Sequence, residues 1–312
     1  MPDKLATPSA ILAERKHLGQ SVIALRQTLE ELDRERVVTH RSFSLRWHTG
    51  GTLASEDLEE DARRFQSWQL DALDKHPAGT ELHSFGPFRA IIPTTGAPGG
   101  WVTIVDSTVT EPETREAIAD LRATFDRRST PLEIEYNENV LPGLGAWLEA
   151  AGLTIAERNP LMACRPRRFA PFAARDVILR RLNAASPAND MQAFQTIRWT
   201  DGGDADRAIP SIEQLAQELA SSTSVYLLAW LDGETAGTGV SHALNQVGEI
   251  VGVVTRMDKR RRGIAATVTS ELVARHFASG GDFVFLDAAN ERAARVYERL
   301  GFRRFGANLV YH

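Results

Sequence analysis

The sequence predicts an α/β protein in which one fold, a mixed and mostly antiparallel sheet flanked by helices, occurs twice in tandem behind an N-terminal helical extension. Three observations predict it. Strand-like and helix-like patterns alternate along both halves, with hairpin turns between strands in the second. The stretch "WLEAAGLTIAER" superposes on "VYERLGFRRFG" when Gly152 is set on Gly301, each a helix end with glycine at C′ before an apolar residue that opens a strand. That places the copies 149 residues apart, about half of the 312. Between them, Pro166 and Pro171 in "CRPRRFAPFAAR" interrupt both periodicities, so the expected division is 1–40 as the extension, 41–164 as the first copy, 165–176 as a linker and 177–312 as the second copy.

In the extension, Thr7-Pro8 reads as an N-cap with proline at the first helical position, and Ile11, Leu18, Val22, Leu25, Leu29 and Leu32 keep a heptad-like spacing. Three heptads are short for a coiled coil, so this helix is expected to pack on its own domain, a homodimer through it being the alternative. The first copy then predicts a helix over 55–73, strands over 88–92 and 101–105 joined by the turn-rich "PTTGAPGG", a helix over 114–125, a strand over 131–136 and a short helix ending at Gly152. The second predicts a strand over 177–182, helices over 189–199 and 211–219 around the polar loop "TDGGDAD", and the strands "SVYLLAWLDG", "TAGTGVSHAL" and "GEIVGVVTR". A helix over 264–278, the strand "DFVFLDA", a helix over 291–300 and a last strand from Phe302 complete it.

A net charge of −5 lacks the electrostatic footprint of a nucleic-acid binder. The single cysteine, Cys164, excludes an internal disulfide and a cysteine-rich metal site, and no apolar run reaches the length of a membrane span. No metal, nucleic-acid or membrane partner is therefore expected, and the expected compartment is the cytoplasm.

Against this acidic background, "VVTRMDKRRRGIAA" places five basic residues among the seven of 256–262, where a strand gives way to a helix with the stripe Ile264, Val268 and Leu272. A helix N-terminus offers unpaired N–H groups and the positive end of its dipole; Gly263, Ala265 and Ala266 keep bulk away, and Arg260, Arg261 and Arg262 add attraction for a diphosphate. Further on, "LDAANERAARVYERLGF" gives Asn290 as an N-cap and the stripe Ala293, Val296, Tyr297 and Leu300. On position alone Tyr297 reads as a core residue.

Arg260-x-x-Gly263-x-Ala265 after a strand, Asn290 and Tyr297 seven apart, and Leu300-Gly301-Phe302 together resemble the GNAT superfamily of acyl-CoA-dependent N-acyltransferases, over roughly 177 to the C-terminus. The resemblance implies that the backbone of Val253, Val254 and Thr255 pairs with the pantetheine arm of acetyl-CoA as an added strand would. It implies further that Arg261, Arg262, Gly263, Ile264, Ala265 and Ala266 cradle the pyrophosphate, that Asn290 bonds the acyl donor, and that Tyr297 protonates the departing thiolate. A strand N–H near Val254 could stabilise the oxyanion that forms when an amine attacks the thioester. Some members carry a carboxylate five residues before the asparagine, where this chain has Phe285, so Glu249 acting through water is the candidate base, with Asp287 and His242 as alternatives.

The expected function is N-acetylation of a primary amine on a small molecule or peptide, and the rival is an acyl-CoA-binding sensor or scaffold without turnover, which would not need a phenol at 297. Asp201, Asp204 and Asp206 in "TDGGDAD" would favour a cationic amine, or form a plain polar loop. The first copy is expected to be degenerate. Leu148 aligns with Tyr297, and "DSTVTEPETREAIADL" puts Glu111 and Glu113 near a helix start in place of an arginine-glycine pattern.

Overall fold

The computed structural model describes residues 53–76, 79–94, 100–106, 108–202 and 209–312. The helix expected in 1–40, most of "PTTGAPGG", and Asp204 and Asp206 lie outside the described residues. The first half comprises α1 (Leu53–Leu73), β1 (Thr80–Phe85), β2 (Phe88–Pro93), β3 (Trp101–Ile104), α2 (Glu111–Arg127), β4 (Ile134–Asn137), α3 (Leu144–Ala150) and β5 (Ile155–Cys164). The second comprises β6 (Val177–Arg181), α4 (Ala188–Thr196), α5 (Ile212–Ser221), β7 (Val225–Leu231), β8 (Glu234–Leu244), β9 (Val247–Thr255), α6 (Ile264–Ala278), β10 (Phe283–Asp287), α7 (Glu291–Glu298) and β11 (Arg303–Tyr311). The expected helix over 189–199 is shorter than its pattern, because from Ile197 to Asp201 the backbone widens into a π-helical turn. Sequence reading missed β1, whose exposed and half-buried residues carry no apolar face.

The two copies do not form two sheets. All eleven strands join one sheet in the order β1-β2-β3-β4-β11-β5-β10-β9-β8-β7-β6, antiparallel except for β3–β4 and β9–β10. Each copy's last strand pairs with the penultimate strand of the other: β11 lies on β4 and β5 on β10, and the two exchanged strands pair with each other from Arg303↔Ala163 to Tyr311↔Ile155. Exchange removes the sheet edges that two separate copies would expose at this junction. The chain crosses from copy to copy near Cys164, but the hydrogen bonding does not divide there.

In the second half, α6 and α7 cover one face, where Val268, Leu272 and Ala294 pack on Leu227, Ile250, Val284 and Leu286. Gly237 and Gly239 bring α6 close, since a Cβ at either would stand 2.7 Å from Ile264 or 2.4 Å from Val268. The opposite face carries α4 and α5 over Tyr226, Leu228 and Val240. Farther along that face α1 sets Phe65 and Trp68 edge-on to Phe285 at 5.0 and 4.7 Å. Ion pairs stitch α1 down: fully buried Asp61 meets Arg165 at 2.6 Å, and Arg64 meets Asp282 at 2.5 Å. In the first half α2 and α3 pack Ile118, Leu121, Phe125 and Leu148 on β2, β3 and β4, with Leu309 and Tyr311 of the exchanged β11 in the same core.

Candidate active site

β9 and β10 run together only from Phe283↔Val247 to Phe285↔Glu249. Beyond Glu249, β9 continues to Thr255 paired with β8 alone, so its other edge is open. Opposite Gly239 the ladder slips, Val240 facing Val251 and Thr238 facing Val254, and Gly252 absorbs the bulge at φ 58°. Val253, Val254 and Thr255 thus sit on a bulged, unpaired strand edge, which is what an extended ligand needs in order to add as a strand.

At the end of that edge the chain turns through the short helix Met257–Lys259 and curls left-handed at Arg261 (φ 64°) and Gly263 (φ 77°) before α6 begins. No side chain caps α6, so its first N–H groups are left to an outside acceptor. Part of the positive charge is neutralised locally. Lys259 pairs with Glu234 at 2.7 Å, Arg256 with Asp258 at 2.9 Å and Arg262 with Asp232 at 3.5 Å. Arg260 and Arg261 have no carboxylate partner among the described residues. Ile264 is buried under the loop, with Ala265 and Ala266 half-exposed beside it. The linker is more than a tether: Phe172 and Ala174 close over Gly263 within 3.1 and 3.2 Å of where a Cβ would be. Their N–H groups donate to Ser270 and Thr267 of α6 at 2.8 and 3.0 Å.

Asn290 caps α7, its Oδ1 accepting from the N–H groups of Arg292 and Ala293 at 3.1 and 3.0 Å, which leaves its NH₂ free to donate to a ligand. Two turns farther, Tyr297 is buried with its ring centroid 5.9 Å from that of Phe302. Burial pushes its phenol up to about 12, so it keeps its proton and can act only as a donor.

On the face that carries α4 and α5, Glu249 of β9 stands opposite Phe285, and Asp287 follows two residues on along β10. Asn308 of β11 donates its Nδ2 to Asp287 at 2.6 Å and also to Glu135 of β4, which accepts a second bond from Trp101 Nε1 at 2.9 Å. Three carboxylates from both copies thus meet beside the splayed strands. Burial, then the charges of Asp287 and Glu135, raise Glu249 to about 8; burial, then Glu135, raise Asp287 to about 7. Asp287 is exposed to water, so its pKa is raised less firmly than that of half-buried Glu249. His242 faces Glu249 across β8–β9 and shares a 2.7 Å hydrogen bond with Ser224; burial and the charge of Arg198 lower its pKa, so its imidazole is neutral. Among the described residues no group of His, Cys, Asp or Glu could hold a metal, and no helix is long and apolar enough to cross a membrane.

Sequence reading missed Glu135, Trp101 and Asn308, because only the exchange of β5 and β11 brings them to Asp287. One signal was available: Asn308 interrupts the apolar run "FGANLVY", and a buried amide in a strand is informative.

A parallel pair that splays beside a bulged strand and leads to an uncapped helix N-terminus is the framework of an acyltransferase of the GNAT fold. Residues 191–302 match the model of the Acetyltransferase (GNAT) family. The chain shares its fold with a GCN5-related N-acetyltransferase from Kribbella flavida, 24% identical over 80% of this chain and 94% of that one, with a TM-score of 0.66. It is similar also to a GCN5-related N-acetyltransferase from Sphaerobacter thermophilus, 18% identical over 72% and 76%, TM-score 0.57. A tandem GNAT protein from the clavulanic acid biosynthesis pathway is 14% identical over 82% and 93%, TM-score 0.55. No curated protein sequence matches. Residues 191–302 thus match a GNAT acetyltransferase domain, and the chain shares the GNAT fold with these structures.

Proposed function

We propose that the second copy transfers the acetyl group of acetyl-CoA to a primary amine of a small molecule or peptide by direct attack. The observation that carries this reading is the open edge of β9 leading from Glu249 to the uncapped N-terminus of α6. The edge offers main-chain partners to the pantetheine amides, and the N–H groups of α6 with Arg260, Arg261 and Arg262 offer a seat for the diphosphate.

The acceptor amine attacks the thioester carbonyl and loses a proton through water to Glu249. The oxyanion accepts from an N–H near Val254, and as the C–S bond breaks Tyr297 gives its proton to the thiolate. Glu249 is preferred as base because it makes no hydrogen bond among the described residues, while Asp287 is held by Asn308 and His242 by Ser224. A carboxylate near 8 is also well matched to an amine at neutral pH. Asp287 and Glu135 supply negative potential that draws the ammonium form in.

A screen of amines and peptides with acetyl-CoA, read as released thiol, tests the reading. Turnover with at least one amine is expected; acetyl-CoA binding with no thiol released in any mixture would mark the protein as a sensor.

A further inference from the structure

Arg198 enters the account so far only as a charge near His242. It stands in the π-helical turn Ile197–Asp201 after α4, a local widening of the kind that gathers at functional sites. Its side chain crosses the bulge of β9: a Cβ at Gly252 would lie 3.3 Å from its Nε and 3.6 Å from its Cζ, so the guanidinium lies against the strand where glycine leaves the backbone bare. The group lies 5.4 Å from the ring centroid of Trp199 and is half-buried.

Among the described residues this guanidinium has neither a hydrogen bond nor an ion pair. Arg180 makes a useful contrast, since it stacks on Trp230 at 4.4 Å and also meets Asp190 at 3.4 Å. The polar groups around Arg198 are engaged elsewhere: Glu218 accepts from the Tyr226 hydroxyl, and His242 is bonded to Ser224. A fork of five donors held partly out of water favours a planar anion that fits two of them at once. Gly252 is three residues along β9 from Glu249, about 10 Å at strand rise. Arg198 approaches from the α4 side at Gly252, three residues before Thr255, and the same turn reaches the loop beyond through Asp201, which accepts from the Met257 N–H at 3.4 Å.

We propose that Arg198 receives a carboxylate of the acceptor, which is therefore an amino acid or a related molecule carrying both a primary amine and a carboxylate. The amine lies toward Glu249 and the carboxylate on the Arg198 fork. This rests on the acetyltransferase reading and narrows it, in place of a purely cationic amine selected by the loop at Asp201.

The experiment measures thiol release from acetyl-CoA with α-amino acids and their longer ω-amino homologues, each beside its primary amide, while calorimetry follows acetyl-CoA binding. The wild type is expected to prefer the acids by about ten- to a hundred-fold in kcat/KM, the range of charge-assisted hydrogen bonds. Arg198→Met should remove that preference through KM with acetyl-CoA affinity unchanged, and Arg198→Lys, which keeps the charge and loses the fork, should retain part of it. Amides used as well as acids, neither series acetylated by a protein that binds acetyl-CoA, or a preference that survives Arg198→Met would overturn the inference. Loss of acetyl-CoA affinity in Arg198→Met would reassign the residue to the donor. If the wild type bound no acetyl-CoA, the acetyltransferase reading itself would fall, and this inference with it.

Discussion

At the scale of the residue, the acid held by Glu249 and the acid held by Tyr297 make different demands on pH. Glu249, raised to about 8 by burial and then by Asp287 and Glu135, is protonated at neutral pH and must lose that proton to serve as base. kcat/KM is expected to climb with pH to about 8 and level off, the limb belonging to the Glu249–Asp287 pair as a unit. Glu249→Gln should flatten it and cost turnover on the order of a hundred-fold or more. Linkage gives an independent check. The folded chain keeps a proton that the unfolded chain releases in the ordinary glutamate range, so this group's contribution to stability is fully present below that range and lost as pH rises through about 8. Glu249→Gln should therefore raise Tm, relative to wild type, above pH 8 more than below pH 4; an equal shift at both would place Glu249 in ordinary solvent. Tyr297, at about 12, contributes no limb in the working range. Tyr297→Phe is expected to lower turnover by roughly a hundred- to ten-thousand-fold with acetyl-CoA affinity intact, and equal turnover would remove the phenol from the mechanism. The placement of Tyr297 and Asn290 on one helix was legible from motif spacing, and Glu249 from its position on an earlier strand. Arg198 was not, because a π turn has no periodic signature and the bulge at Gly252 is visible only in pairing.

At the scale of the element, α1 shows how helix and linker are held to the sheet. Asp61 is wholly buried and meets Arg165 at the end of β5, a few residues before the linker segment that closes over Gly263. Removing one partner of a buried pair leaves the other charge uncompensated, and Arg165 keeps only Glu60, at 3.0 Å. Asp61→Ala is therefore expected to lower the unfolding free energy by about 3 kcal/mol, read from urea titration; a loss under ~1 kcal/mol would show an exposed, weak pair. The helix over 55–73 and the second-half strands were readable from apolar spacing and hairpin turns. The linker's packing was not, since its prolines show only that regular structure ends there. That contact also changes how the loop can be tested: Gly263→Glu would displace Phe172 and Ala174 as well as any phosphate, whereas Arg260→Gln with Arg261→Gly removes the two charges that no carboxylate among the described residues neutralises and keeps the left-handed turn.

At the scale of the whole molecule, the repeat at Gly152 and Gly301 announced a duplicated fold, and nothing local could announce that the copies trade their last strands, because pairing partners far apart in sequence leave no short-range trace. The trade has a consequence for function. It brings Glu135 and Trp101 of the first copy beside Asp287 of the second, while the first copy lacks the features on which the proposed donor site rests. Leu148 is buried in α3 at the place of Tyr297. At the start of α2, Glu113 folds back to accept from the Thr110 N–H at 2.9 Å, and Glu111 stands beside it, so that helix end is already satisfied and negative. The central claim is thus a single donor site per chain, at α6. Calorimetric titration of the intact protein with acetyl-CoA tests it most directly. Saturation at one equivalent is predicted, with Arg260→Gln/Arg261→Gly weakening it by about ten-fold or more and Glu113→Gln leaving it unchanged; two equivalents, or one that the arginine substitutions do not weaken, would contradict it.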